Sequence, residues 1–188
     1  MRFLMASFRF PDGAQDMTEV PNKLALHEVR AGGHAGQLVD RINASQAGSL
    51  PALLEFQWLE AGRGYISGRF EIAAKHFSPH GLLHGASIVA LADTACGFGC
   101  LASLPDGAIG FATGELKTNF IGAAREGGVA CEARLVHAGW TTQVWDAEIR
   151  SEATGKTIAL FRCTQMLLYP PATVGDRTTP AERTGERL

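Results

Sequence analysis

The stretch HGLLHGASIVALADTACGFGC, His80 to Cys100, constrains the fold more than any other part of the chain. It reads as one buried helix. From Ala86 to Leu104 the residues are apolar or small on every side, the pattern of a helix wrapped by a sheet. Polar His84 and flexible Gly85 mark its start, and Asp93 is the one charged residue within it. A carboxylate in apolar surroundings is costly unless it is paired, hydrogen-bonded or at an opening to water, so something specific must hold Asp93 there. At the helix start, the bare amides of the first turn attract partial negative charge, and a glycine lets a ligand carbonyl approach the backbone closely.

Gly85 and Asp93 are eight residues apart. At about 1.5 Å of rise per residue they stand roughly 12 Å apart on one helix. A nucleophile or base must come within about 3 Å of its target, so one chain cannot bring both groups to the same carbonyl. Two such helices packed antiparallel across a twofold axis would set Gly85 of one subunit against Asp93 of the other, giving two equivalent sites per dimer.

These residues resemble the hotdog-fold acyl-CoA thioesterases, in particular the branch typified by the phenylacetic-acid-pathway (PaaI-like) thioesterase. The likeness spans Leu53 to Leu168 and rests on His-Gly-Gly followed by an apolar helix with an acid nine residues after the His, present here as His84, Gly85, Ala86 and Asp93. Ala86 stands where the pattern has its second Gly. Ser78 stands six residues before the His, where some relatives carry Asn. The resemblance implies that the Gly85 amide polarises a thioester carbonyl, that Asp93 is nucleophile or general base, and that Thr113 takes the place of a helper Ser or Thr. His84 holds the loop that presents Gly85 or takes part in acid–base chemistry, and Ser78 and Ala86 fall at substrate-binding positions. Coenzyme A enters as part of the substrate, with no separate cofactor and no metal. The expected assembly is a homo-oligomer, a dimer or a dimer of dimers.

The CoA phosphates would want Lys or Arg near the pocket mouth, and Arg125 and Lys156 are loop candidates. Relatives often have a basic residue after the turn glycine of the penultimate strand. This chain has Trp140 after Gly139, suited either to stacking on adenine or to packing on a neighbouring strand or subunit. Plain alternation puts Thr113 on the face of Glu115 and Lys117, so turning it toward Asp93 requires a bulge or an edge position. His76 and His80 flank the motif in a loop, where solvated side chains are expected.

Around the helix the chain reads as α+β. Leu38, Ile42 and Val39 give the second of two helical pieces between Lys23 and Gln46 an apolar stripe; Ala31-Gly32-Gly33 separates the pieces, and Pro11 to Pro21 reads as loop. LLEFQWLEAGRGYISGRFEI reads as a hairpin around Ala61-Gly62-Arg63-Gly64. Four strands follow the helix, over Ile109 to Ile121, Val129 to His137, Thr141 to Arg150 and Thr157 to Leu168, and their close spacing suggests a meander. A curled antiparallel sheet around one long helix is the expected architecture, and it matches the hotdog shape. The domain expectation is an N-terminal extension over 1–48, a hotdog domain over 49–169 and a disordered tail over 170–188.

A net charge of -2 and the lack of any Lys/Arg run leave no basis for nucleic-acid binding. The N-terminus MRFLMASFRF interleaves charge with apolar residues before Pro11, unlike a signal peptide, and Asp93 and the central glycines argue against a membrane span. Cys96, Cys100, Cys131 and Cys163 lack metal-ligand spacing and read as small core residues, which suits a cytoplasmic protein. The resulting expectation is hydrolysis of an acyl-CoA thioester. The alternatives are a non-catalytic hotdog protein that binds acyl thioesters or serves in assembly, and, ranked last, an acyl-thioester dehydratase.

Overall fold

The computed structural model describes residues 35–170. Helix α1 (Ala35–Ser45) and the single turn α2 (Leu50–Leu53) precede a hairpin of β1 (Gln57–Gly62) and β2 (Tyr65–Glu71). A 3-10 turn at Ala74–His76 leads to the long helix α3 (Gly85–Ala102). Strands β3 (Gly110–Phe120), β4 (Gly128–Ala138), β5 (Thr142–Ser151) and β6 (Thr157–Leu168) complete the described chain. The earlier of the two expected helical pieces, the Pro11–Pro21 loop and nearly all of the expected tail lie outside the described residues.

All six strands form one antiparallel sheet in the order β1-β2-β4-β5-β6-β3. The four strands after the helix are therefore not one meander. β4, β5 and β6 are consecutive neighbours, but β3 crosses to the far edge and pairs with β6, from Gly110↔Leu168 to Phe120↔Ala159. Strand spacing alone misses this, because the connection from α3 already delivers β3 to the side of the sheet opposite the hairpin.

Helix α3 lies on the inner face of the curled sheet and packs against every strand. Its buried side includes Ile88 and Leu91 and, further along, the small Ala92, Ala95, Cys96, Gly99 and Cys100. Small residues are needed there: a Cβ on Gly99 would lie 2.6 Å from Cη2 of Trp145, so the indole occupies the space of the absent side chain. By length and a mean hydropathy of 1.5, α3 could cross a membrane. In this fold the sheet uses that hydrophobicity as core. The enclosure is one-sided, contrary to the expectation of burial all round, since Val89, Ala90, Asp93, Thr94, Phe98 and Leu101 are only half-buried.

Helix α1 buries Leu38 and Ile42, as its apolar stripe predicts. It also covers the outer edge of β1. The Asn43 amide exchanges hydrogen bonds with Trp58, Nδ2 to O at 3.0 Å and N to Oδ1 at 2.9 Å. Gln46 Nε2 donates to Phe56 O at 2.7 Å and Gln46 Oε1 accepts from Trp58 Nε1 at 3.0 Å. One sheet edge is thus closed by side chains, whereas β3 at the other edge has no such cover among the described residues.

His76 is fully buried, which overturns its expected place in solvent. Its ring lies 4.4 Å from that of Phe70. Nδ1 accepts from Ala73 N at 3.0 Å, so the proton sits on Nε2, which donates to Leu54 O at 3.0 Å. The backbone carbonyl of His76 then accepts from His84 N at 2.8 Å, which ties this residue to the start of α3. Removing the ring leaves a cavity and two unmet polar groups. His76→Ala should therefore destabilise the fold by about 3–5 kcal/mol, read as a shift of the urea midpoint at constant m-value.

Candidate functional site

The start of α3 is built by backbone and one imidazole. His84 is the N-cap, with φ -70° and ψ 130°, and its Nδ1 accepts from Ala86 N at 3.0 Å while its carbonyl accepts from Ser87 N at 2.9 Å. The approach loop is fixed by Ser78 N to Leu82 O at 2.7 Å and Gly81 N to Ser78 O at 3.0 Å, so Ser78 takes part through its backbone. Among the first-turn amides, those of Ala86 and Ser87 are used, and the Gly85 N–H donates to no described group. The helix start therefore presents one free donor, where the dipole favours negative charge. Phe120 packs over this glycine: a Cβ on Gly85 would lie 2.9 Å from the ring Cζ.

Asp93 sits two turns further along α3, on the half-buried side. Burial pushes its carboxyl above the ordinary carboxylate range, an effect that a hydrogen bond donated by Thr113 would offset in part. Thr113 reaches the acid because β3 carries the required bulge. The register with β6 shifts between Thr113 and Glu115, and Gly114 is the extra residue. Thr113 thereby faces α3 while Glu115 turns outward to accept from Thr164 Oγ1 at 3.1 Å. Thr113 Oγ1 stands 3.4 Å from Asp93 Oδ1 and 3.0 Å from Gln165 Oε1. The first distance is long for a hydroxyl hydrogen bond, so in this arrangement the proton belongs to Gln165.

Beside Asp93 lies an apolar cleft of about 230 Å³, lined by Asp93, Thr94, Gly97, Phe98, Leu101, Phe111 and Thr113. A carboxylate at one end of an apolar slot is suited to act on a polar group carried by an apolar tail. The slot is smaller than the roughly 300–1,000 Å³ typical of sites for drug-sized ligands, so it fits an acyl portion rather than a whole acyl-CoA. A larger depression of about 550 Å³ lies on the outer sheet face. Its charges largely neutralise one another, as in Arg162 with Asp146 at 2.5 Å and Arg134 with Glu132 at 3.0 Å.

Of the residues picked from sequence, Asp93 and Thr113 come together, and His84, Gly85 and Ala86 form the helix start. Arg125 and Lys156 are exposed in loops at the Gly85 end of the sheet, where Ile121 N and Gly122 N bond to Ile158 O. Trp140 lies at the opposite end, 64% exposed and stacked on Tyr169 with ring centroids 5.1 Å apart. The ten residues of β5 separate it from Lys156, roughly 30 Å, so one chain does not bring these candidates together. Sequence reasoning missed Phe98, Leu101, Phe111 and Gln165. Two signals pointed to some of them: Gly97 and Leu101 follow Asp93 at helical spacing, and Gln165 is a polar residue in the inward series Phe161, Cys163, Gln165, Leu167.

Residues 80–158 match the Thioesterase superfamily. The chain is 32% identical over 111 residues to a 1,4-dihydroxy-2-naphthoyl-CoA hydrolase of Listeria monocytogenes, covering 59% of this chain and 87% of that protein. Among solved structures, a mutant thioesterase of Pseudomonas aeruginosa aligns with a TM-score of 0.66 at 26% identity, over 70% of this chain and 94% of that one. The PaaI protein of the Escherichia coli phenylacetic acid degradation operon shares the fold, with a TM-score of 0.60 at 23% identity over 67% of this chain and 88% of that one.

Proposed function

The chain belongs to the thioesterase superfamily and has the hotdog fold, and from that premise we propose that it hydrolyses acyl-CoA thioesters at a site shared between two subunits. The observation that carries this reading is the half-buried Asp93 at one end of an apolar cleft, two helical turns away from the free Gly85 amide. The acyl group enters the cleft against Phe98, Leu101 and Phe111. Its carbonyl oxygen accepts from the amide of Gly85 of the partner subunit, which stabilises the oxyanion as the carbon becomes tetrahedral. Asp93 either attacks that carbon, forming an anhydride that water then opens, or takes a proton from the attacking water. In both routes the C–S bond breaks, water supplies the hydroxyl of the acid, and CoA leaves as the thiol.

The open edge of β3 supports the shared site. This eleven-residue edge strand is largely exposed, including Leu116 at 44% and Phe120 at 53%. Two such strands meeting antiparallel across a twofold axis would close both edges and lay the two α3 helices antiparallel. In that dimer Trp140 of one subunit comes to the side where Arg125 and Lys156 of the partner subunit lie, so both ends of the sheet can serve one CoA. Light scattering should find a dimer or a dimer of dimers; an active monomer would rule out the shared site.

The deciding experiment is thiol release from a panel of aliphatic and aromatic acyl-CoAs. Turnover supports the proposal. Tight binding without turnover would favour a non-catalytic acyl-thioester-binding protein, a reading to which Ala86 and Ser78 lend weight as departures from the family pattern. The cleft gives a further expectation. A Cβ on Gly97 would meet Phe111 Cζ at 3.0 Å, so Gly97→Val fills the slot. It should lower kcat/KM for bulky acyl groups by about 10–100-fold and leave acetyl-CoA little affected, as a ratio of the two kcat/KM values will show.

A further inference from the structure

Gln165 is completely buried on the inner face of β6, opposite Thr113 on β3. Its Oε1 accepts from Thr113 Oγ1 at 3.0 Å and its Nε2 faces Cys163 Sγ at 3.3 Å. This arrangement suits a neutral Asp93. Once the two side chains close the 3.4 Å gap, the acid proton can donate to Thr113, Thr113 to Gln165, and Gln165 to the thiol sulfur. It does not suit a carboxylate, because the one Thr113 proton is turned away from it. A half-turn of the amide exchanges its oxygen and nitrogen without altering its shape. Gln165 Nε2 then donates to Thr113, Thr113 donates to Asp93, and the Cys163 S–H donates to Gln165 Oε1. Every group keeps a partner in both directions, as a buried chain of this kind requires.

We propose that Gln165 is a positioning residue whose buried amide reverses with the charge of Asp93, turning the Thr113 hydroxyl toward the carboxylate when Asp93 is ionised and away from it when Asp93 is protonated. The inference rests on the reading of Asp93 as the reacting group and adds the residue that prepares it. Among the described residues, no other charge competes for the relay from the packed surfaces. The inward positions of β1, β2, β4, β5 and β6 bring only the Cys131 and Cys163 thiols, and α3 itself adds Cys96 and Cys100. Glu115 and Lys117 turn to the outer face, as Glu115's bond from Thr164 and Lys117's place in the outer depression show. His84 is nine residues away at the helix start, roughly 13 Å along the axis.

The test follows the side-chain amide of Gln165 by NMR in isotope-labelled full-length protein while the Asp93 carboxyl carbon reports its charge. The Gln165 signals should move with the same midpoint as Asp93. That movement should vanish in Thr113→Val, which removes the hydroxyl, and in Asp93→Asn, which has no charge to gain. Gln165 signals that stay still while Asp93 titrates, or that move equally in Thr113→Val or in Asp93→Asn, would overturn the relay. Turnover separates the two levels. If the acid limb of kcat/KM ignores the Asp93 midpoint while Gln165 follows it, the catalytic reading of Asp93 fails and the relay stands.

Discussion

Asp93→Asn should lower kcat by about 10²–10⁴ while leaving fold, assembly and substrate binding in place. Asn keeps the shape of the side chain and an acceptor for Thr113, but it can neither attack as a carboxylate nor accept the proton of water. Stability should move in the opposite direction. Burial holds the Asp93 carboxyl above the ordinary range, so the native protein binds that proton more tightly than the unfolded chain does. The native state therefore loses stability as pH rises from the unfolded carboxyl's range through the native one, and the deficit is complete above it. Asn lacks this penalty. The variant's melting temperature should exceed the wild type's at neutral pH, with the difference closing as pH falls below the ordinary Asp range. The same shift raises the acid limb of the wild-type kcat/KM profile above that of a free Asp. If Asp93 instead only braces an interface, kcat will stay near wild type and the variant will melt lower or dissociate.

Much of this candidate site was legible in the sequence because it depends on local exceptions to a pattern. A single acid in an apolar helix and a His-Gly pair at its start stand out from their neighbours, and the helix begins at Gly85, where that pattern places it. The strands were legible for the same reason, since alternation such as Ile66, Gly68, Phe70 against Tyr65 and Arg69 needs no tertiary knowledge. What was hidden depends on pairing between distant segments. Nothing local says that β3 passes to the far edge and meets β6. The bulge at Gly114 shows only once Thr113 is seen opposite Gln165 and Glu115 opposite Thr164. His76 illustrates the same limit from another side. A His in a loop is usually solvated, and its burial follows from carbonyl and amide partners twenty-two and three residues away.

Gly85→Pro should lower kcat by about 10²–10³, the cost of losing one oxyanion donor. The helix start is suited to the change. Gly85 is the first helical residue, where Pro is tolerated, and His84 before it already has the extended backbone that a residue preceding Pro requires. Added bulk at this position meets the tip of the Phe120 ring, so bulk must be separated from loss of the N–H. Gly85→Ala provides the control, since it introduces the same Cβ but keeps the donor. Phe120 is 53% exposed and its ring tip can shift, so the Ala variant should keep most of its turnover while the Pro variant does not. Unchanged turnover in a folded Gly85→Pro dimer would remove the amide from the mechanism. Mixing the two inactive variants then tests the shared geometry directly. In the proposed dimer each site takes Gly85 from one subunit and Asp93 from the other. A heterodimer of Gly85→Pro with Asp93→Asn thus has one site with both defects and one with neither. With random reassortment half of the dimers are heterodimers, and about a quarter of wild-type specific activity should return. Proven heterodimers without recovered activity would mean that Gly85 and Asp93 never meet on one substrate.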